Sequence, residues 1–290
     1  MAEQPTSAPG AQPGPIDAIS VRDVTRHYRR PRTSLRHPSP PVHALRGVSL
    51  AISPGERFGI VGESGCGKST LLRIMAGLDR PTSGSVAIDG RDITGLRERR
   101  LRFVRERLQL VFQDPMSALD PRMRVGDIVA EPLVAQGHRN RKERVAELLE
   151  AVGLGADAAD RYPHQFSGGQ RQRISIARAL APRPKVLVAD EPVSALDVSV
   201  RAQVLNLLAD LVDELSLTLV FVSHDLSVVR HVCDRVAVMH DGQIVETGST
   251  EQLYEEPQHS YTRRLIAAVP TLDKALSGVS AADLNREYRP

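Results

Sequence analysis

The sequence predicts an α/β protein built on a parallel sheet, with an antiparallel β edge subdomain and an inserted α-helical subdomain. Three observations lead there. Short apolar runs at 57–61, 185–189 and 217–222 have the character of strands buried on both faces, and a helical stretch at 200–215 separates the last two. A glycine-rich segment, Gly62-Glu63-Ser64-Gly65-Cys66-Gly67-Lys68-Ser69-Thr70, follows the first run and opens a helix near Lys68. Between 115 and 181 the pattern turns helical, with Val145, Leu148, Leu149 and Val152 on one face and Arg141, Lys142, Glu143 and Glu147 on the other.

The remaining elements come in chain order. Residues 1–15 are rich in Pro, Ala, Gly and Gln without a basic start and apolar run, so they read as a disordered tail and not a signal peptide. Apolar and polar residues alternate over 19–24 as in a half-buried strand, and Tyr28 reads as part of a basic turn after it. The Arg/Pro/Ser-dense stretch 29–41 reads as a solvated loop, 48–52 as the returning strand, and Ser53-Pro54-Gly55-Glu56 as the turn into 57–61. Near the end, 236–239 and 243–246 around Asp241-Gly242 form a hairpin. The expected division is a tail at 1–16, a core domain at 17–248 with the helical subdomain at about 114–180, and a C-terminal extension at 249–290.

Composition narrows the function. With 38 Lys and Arg against 35 Asp and Glu, the net charge of +3 is too mild to argue for nucleic acid, and 3% aromatics with no Trp leave few surfaces on which bases can stack. Nucleic acid is therefore not an expected partner. The two cysteines, Cys66 and Cys233, form no metal or redox spacing, which fits a reducing compartment. No apolar stretch approaches the ~18–20 residues of a membrane helix, so a membrane role has to come through a partner.

The chemistry gathers in polar residues that come after apolar runs. Residues 62–69 match G-x-x-x-x-G-K-[ST] in a strand-to-helix setting: the glycines let backbone N–H groups turn onto phosphates, and the helix start adds partial positive charge. Lys68 suits the β- and γ-phosphates, and the Ser69 hydroxyl suits Mg²⁺. Asp190 ends an apolar strand and Glu191 comes next, so one can hold the metal's water shell while the other polarises a water, although an acid pair before Pro192 also suits a helix cap. Ser167-Gly168-Gly169-Gln170 reads as a second phosphate-binding helix start or as a plain cap. Gln113 and His224 each succeed an apolar run, where they could sense metal, water and γ-phosphate. Cys66 either makes the loop sensitive to thiol reagents or packs inertly.

These residues in this order resemble the ATP-binding subunits of ABC transporters, over about residues 19–270. The resemblance implies a P-loop NTPase (RecA-like) core and ATP sandwiched between two subunits. It assigns Gly62, Ser64, Gly65, Cys66, Gly67, Lys68, Ser69 and Thr70 to the Walker A loop, Gln113 to the Q-loop, Ser167, Gly168, Gly169 and Gln170 to the signature, and Asp197 to the D-loop. Tyr28 takes the adenine-stacking position. Ser69, Gln113 and Asp190 become metal ligands, and Glu191, His224, Gln113 and Lys68 the catalytic set. Further wording, including Phe112-Gln113-Asp114-Pro115, Tyr162-Pro163-His164-Gln165-Phe166 and His259-Ser260-Tyr261-Thr262, is similar to the oligopeptide/dipeptide importer branch, nearer its F-type partner. That branch implies an ATPase that drives solute import through two membrane permeases, with a second ATP-binding subunit and an extracytoplasmic solute-binding protein, at the cytoplasmic face of the membrane. Nickel or another small solute is the alternative cargo, and a soluble ABC-type ATPase of repair, chromosomes or ribosomes is the alternative class. Without a Cys after Cys233, no iron–sulfur cluster is expected.

Overall fold

The computed structural model describes residues 16–28 and 41–268. In chain order the strands and helices are β1 (Ile19–Tyr28), β2 (Val42–Ile52), β3 (Arg57–Val61), α1 (Lys68–Met75), β4 (Ser83–Ile88), β5 (Arg91–Asp92), α2 (Arg102–Arg107), β6 (Leu108–Val111), α3 (Pro115–Ala118), α4 (Val125–Ala135) and α5 (Arg141–Ala151). They continue with α6 (Gly168–Leu180), β7 (Val186–Asp190), α7 (Val198–Glu214), β8 (Thr218–Ser223), α8 (Leu226–Val232), β9 (Arg235–His240), β10 (Gln243–Ser249), α9 (Thr250–Glu255) and α10 (Ser260–Ala267).

Two sheets result. One is antiparallel, in the order β2-β1-β4-β5; the other has six strands in the order β10-β9-β3-β8-β7-β6. Within the second, β3 pairs in parallel with β8 and β9, β7 with β8 and β6, and only the β9/β10 hairpin is antiparallel. The apolar runs are continuous because this sheet is covered on both faces. Leu187, Ala189, Leu219 and Phe221 enter one core with the helices α4 to α8, while Val186, Val188, Val220 and Val222 enter a second with α1 and the antiparallel sheet. Alternate side chains of a single strand thus serve two cores.

The structure lengthens the predicted edge sheet. Tyr28 is not in a turn: β1 runs through it, pairing Tyr28 with Val42, so β2 begins six residues before the predicted start. Ladder pairing and the ion pair of Arg26 with Asp79 at 2.8 Å hold this polar end extended, against what its composition suggests. Elements β4, β5, α2, α8, α9 and α10 were not predicted. The tail, the Arg/Pro-rich loop at 29–40 and the end of the C-terminal extension lie outside the described residues.

The helical insert and the parallel sheet share one core, in which Leu148, Leu149 and Val152 of the α5 region meet the same cluster as Phe221. The long side chains of α6 add to this joint: Arg173 donates to Val152 O at 3.2 Å, Arg178 to Ala118 O at 2.5 Å and Arg171 to Pro163 O at 2.8 Å. Because this core is continuous, we expect Leu149→Ala to cost about 2–5 kcal/mol and to leave a single urea transition; separate transitions for helical insert and sheet would contradict the shared core.

Candidate nucleotide-binding site

The phosphate loop leaves β3 and enters α1 with Gly62, Gly65 and Gly67 all at positive φ. A Cβ on Gly62 would overlap the Met239 carbonyl oxygen, and one on Gly67 would lie 2.5 Å from Ala44 O, so glycine is required by space as well as by conformation. Gly67 caps α1 without a side-chain hydrogen bond, leaving the first N–H groups of the helix to face an anion. The turn after β9 braces the loop, with Gly242 N–H donating to Cys66 O at 2.9 Å.

Lys68 is buried, and its ammonium donates to Gly62 O at 2.6 Å and Glu63 O at 2.9 Å. The Ser69 side chain lies near the Asp190 carboxylate and favours its charged form. Beside them Cys66 is buried, and burial pushes its thiol up despite the Lys68 charge nearby. The geometry therefore favours inert packing over a reactive thiolate.

Gln113, Glu191 and His224 converge. His224 Nδ1 is 2.9 Å from Glu191 Oε2, and Gln113 Nε2 donates to the same oxygen at 3.3 Å. Strand order explains the meeting: β7 lies between β8 and β6, so the residue after β7 is flanked by those after its neighbours. Glu191 is held at φ 46, a left-handed conformation that costs a non-glycine residue on the order of 1–3 kcal/mol. Its backbone is bonded on both sides, to Val222 O at 2.9 Å and from the Ser194 N–H at 3.2 Å.

The other expected residues lie elsewhere. Ser167 caps α6 in a reciprocal box with Gln170, donating its N–H to Gln170 Oε1 at 3.0 Å. Gly168 would bring a Cβ to 3.5 Å from Leu196, and a Cβ on Gly169 would overlap Val200 of α7. Asp197 accepts from Val200 N–H at 3.0 Å as the cap of α7, and that bond, with the Ser199 hydroxyl, draws its carboxyl down. Thr70 comes after Ser69 in the first turn of α1, whereas Ser64 is exposed on the loop. Tyr28 donates its hydroxyl to Asp79 at 2.7 Å and carries the Arg26 guanidinium 4.5 Å from its ring centroid. Helix α1 packs on β1, β2, β4 and β7, while α6 packs on α3, α4, α5, α7 and β6, so the starts of these two helices have different surroundings. Sequence reasoning missed one residue at the loop. The hydroxyl of Tyr261 in α10 accepts from Glu63 N–H at 3.1 Å, a pairing across 198 positions that no local pattern signals.

A glycine loop between strand and helix, a lysine folded over it, and acids at the end of a parallel strand two places away in the same sheet define a P-loop nucleotide-binding protein of the NTPase class. The chain belongs to the ABC transporter family, whose pattern it matches over residues 45–194; residues 245–287 match the oligopeptide/dipeptide transporter C-terminal region. It is 49% identical to a probable peptide ABC transporter ATP-binding protein, y4tS, of Sinorhizobium fredii, over 89% of this chain and 74% of that one. It is also 49% identical to the di/tripeptide transport ATP-binding protein DppF of Pseudomonas aeruginosa, over 88% and 79%. Among solved structures it resembles the ATP-binding cassette MJ0796 in a dimeric post-hydrolysis state bound to ADP and Pi, with a TM-score of 0.71, 34% identity and coverage of 80% and 98%. It also resembles cbiO1 of Clostridium perfringens, part of the cbiONQ complex, with a TM-score of 0.73, 28% identity and coverage of 91% and 99%.

Asp190 gives the site a pH signature. Burial raises its carboxyl above the ordinary value and Glu191 adds to the rise, against Ser69, Lys68 and Arg73. The folded chain therefore holds this proton more tightly than the unfolded chain. The group's contribution is fully present below the ordinary carboxylate pKa and is lost as pH rises through the raised value. Without nucleotide, Asp190→Asn should be more stable than wild type at neutral pH, by urea midpoint, with the difference vanishing in acid; a difference independent of pH would contradict the assignment.

Proposed function

We propose that this chain is the ATP-hydrolysing subunit of an importer for oligopeptides or dipeptides, in which two ATP-binding subunits close on ATP and part after hydrolysis. The observation that carries the reading is the Glu191 carboxylate, which receives both the Gln113 amide and the His224 ring beside Ser69 and Asp190. In this reading residues 62–70 bind the phosphates, and Lys68 leaves the Gly62 and Glu63 carbonyls to meet them. Glu191 accepts a proton from the attacking water, Gln113 orients that water, and His224 steadies Glu191 through Nδ1 while its other nitrogen faces the γ-phosphate. Tyr28 supplies a ring for adenine. Ser167 to Gln170 of a second subunit, a related paralogue or another copy, complete each site, with Asp197 at the junction.

The oxygen donors fit Mg²⁺. A hydroxyl near a carboxylate, with the Gln113 amide at the neighbouring strand end, forms the hard set this cation prefers when it shares phosphates. When bound, the ion supplies charge neutralisation for the transferring phosphate. Ser69 and Asp190 would hold it, with Gln113 beside them.

In this reading attachment to the membrane runs through permeases; among the described residues no helix is long and apolar enough to cross one. A cleft of about 150 Å³ lies between Leu78, Phe112, Pro132 and Arg178, and Leu78 and Phe112 are exposed at it. It suits a short apolar permease segment, placed one residue from Gln113, so docking and nucleotide sensing share a strand end. The permeases hold the chain at the cytoplasmic face of the membrane, and a solute-binding protein delivers the peptide from the other side. The proposed domains are 17–248 for the ATPase, with 114–180 helical, and 249–290 for the C-terminal extension.

Glu191→Gln should retain ATP binding, lose about 100-fold or more in turnover, and accumulate the ATP-bound dimer in gel filtration. Wild-type turnover in this variant would remove Glu191 from the base role. Gentle solubilisation of the tagged chain should bring down two permeases and a second ATP-binding subunit; recovery without membrane proteins, while a control transporter stays intact, would contradict the importer.

A further inference from the structure

The phosphate loop is held from outside as well as from within. Its second residue, Glu63, is bonded at both ends of its backbone: its carbonyl accepts from Lys68 Nζ at 2.9 Å, and its N–H donates to Tyr261 Oη at 3.1 Å. Tyr261 belongs to α10, inside the stretch that matches the oligopeptide/dipeptide C-terminal region. It is 3% exposed, and its ring stacks on His240 at the end of β9 with centroids 4.0 Å apart. Burial raises the phenol above its ordinary range, so the hydroxyl stays neutral around physiological pH.

The approach to α10 is fixed independently. Glu246 of β10 accepts from Gln258 N–H at 2.7 Å and His259 N–H at 2.9 Å, and His259 Nδ1 then accepts from Tyr261 N–H at 3.1 Å. The same hairpin reaches the loop a second time through Gly242 N–H and Cys66 O. The hairpin therefore connects with the loop both directly and through α10.

We propose that Tyr261 is a positioning residue for nucleotide binding: its hydroxyl fixes the Glu63 peptide, so docking of α10 sets the affinity of the phosphate loop for di- and triphosphates. Phenylalanine would fill the same space and stack on the same histidine, so packing does not account for an oxygen aimed at this N–H. Without the oxygen the Glu63 N–H loses its acceptor, and the peptide whose carbonyl holds Lys68 is free to rotate. Coupling of this kind is reciprocal: nucleotide on the loop must also tighten α10. This rests on the loop's binding nucleotide, as proposed above.

The test uses the full chain, with Mg-ADP as probe because it needs no second subunit. Tyr261→Phe should raise the Kd for ADP by about three- to tenfold, the loss of one hydrogen bond, while thermal stability without nucleotide and kcat at saturating ATP stay near wild type. An unchanged Kd would overturn the proposal. A second readout needs no variant: in wild type, ADP should slow hydrogen exchange of the amides at 260–267, and no slowing there while the phosphate loop itself is protected would overturn it too. A wild-type chain that binds no ADP would instead defeat the nucleotide reading on which the proposal stands.

Discussion

Parallel hydrogen bonding across β3, β8, β7 and β6 is the constraint on which the rest of the site depends. The ladders pair Val61 with Ser223, Val222 with Asp190, and Ala189 with Val111. Four strands therefore end along one edge, and directly beyond their ends lie the phosphate loop, His224, Glu191 and the segment to Gln113. In an open parallel sheet this is the edge at which ligands bind. The order matters as much as the direction. With β7 between β8 and β6, Glu191 has a donor on either side, and a register slip of one residue in β7 would turn Asp190 toward the opposite face.

The parallel core was legible because burial on both faces leaves an unbroken apolar run, a signal that needs no knowledge of partners. The site was legible for a related reason: Gln113, Asp190 and His224 are polar residues stationed directly after such runs. The antiparallel edge was harder. The end of β1, Arg26-His27-Tyr28, has the composition of a turn and is extended because β2 and Asp79 pair with it, a tertiary effect. In β4, Ser83, Gly84 and Ser85 dilute the alternation that Val86 and Ile88 carry. The short α10 buries only Tyr261 and Thr262 and offers too little periodicity to be seen. The contacts between side chains were not legible at all. Sequence places Gln113, Glu191 and His224 at strand ends, but only sheet order brings two of them onto one carboxylate oxygen.

Two helix starts in this chain can meet an anion, and they differ in how their capping needs are met. α1 begins at a glycine with no side-chain cap, whereas α6 closes its own cap through Ser167 and Gln170. The first is thus left with donors to give, and the second is a stable rim that presents backbone to whatever approaches. Each is seated on different neighbours. This asymmetry is what a sandwich of two subunits needs, with one surface gripping the phosphates and the other covering them. The Glu191 backbone, strained yet bonded on both sides, lies where such a closure would convert into chemistry.

The most direct test is complementation between two inactive forms of the chain: Lys68→Ala, which disables the phosphate loop, and Gly168→Asp, which disables the α6 start. If one subunit's loop works with the other's α6, a mixed pair contains one intact site, and the mixture hydrolyses ATP although neither form does alone. A mixture as inactive as its components, under conditions where the wild-type chain turns over, would contradict the two-subunit site.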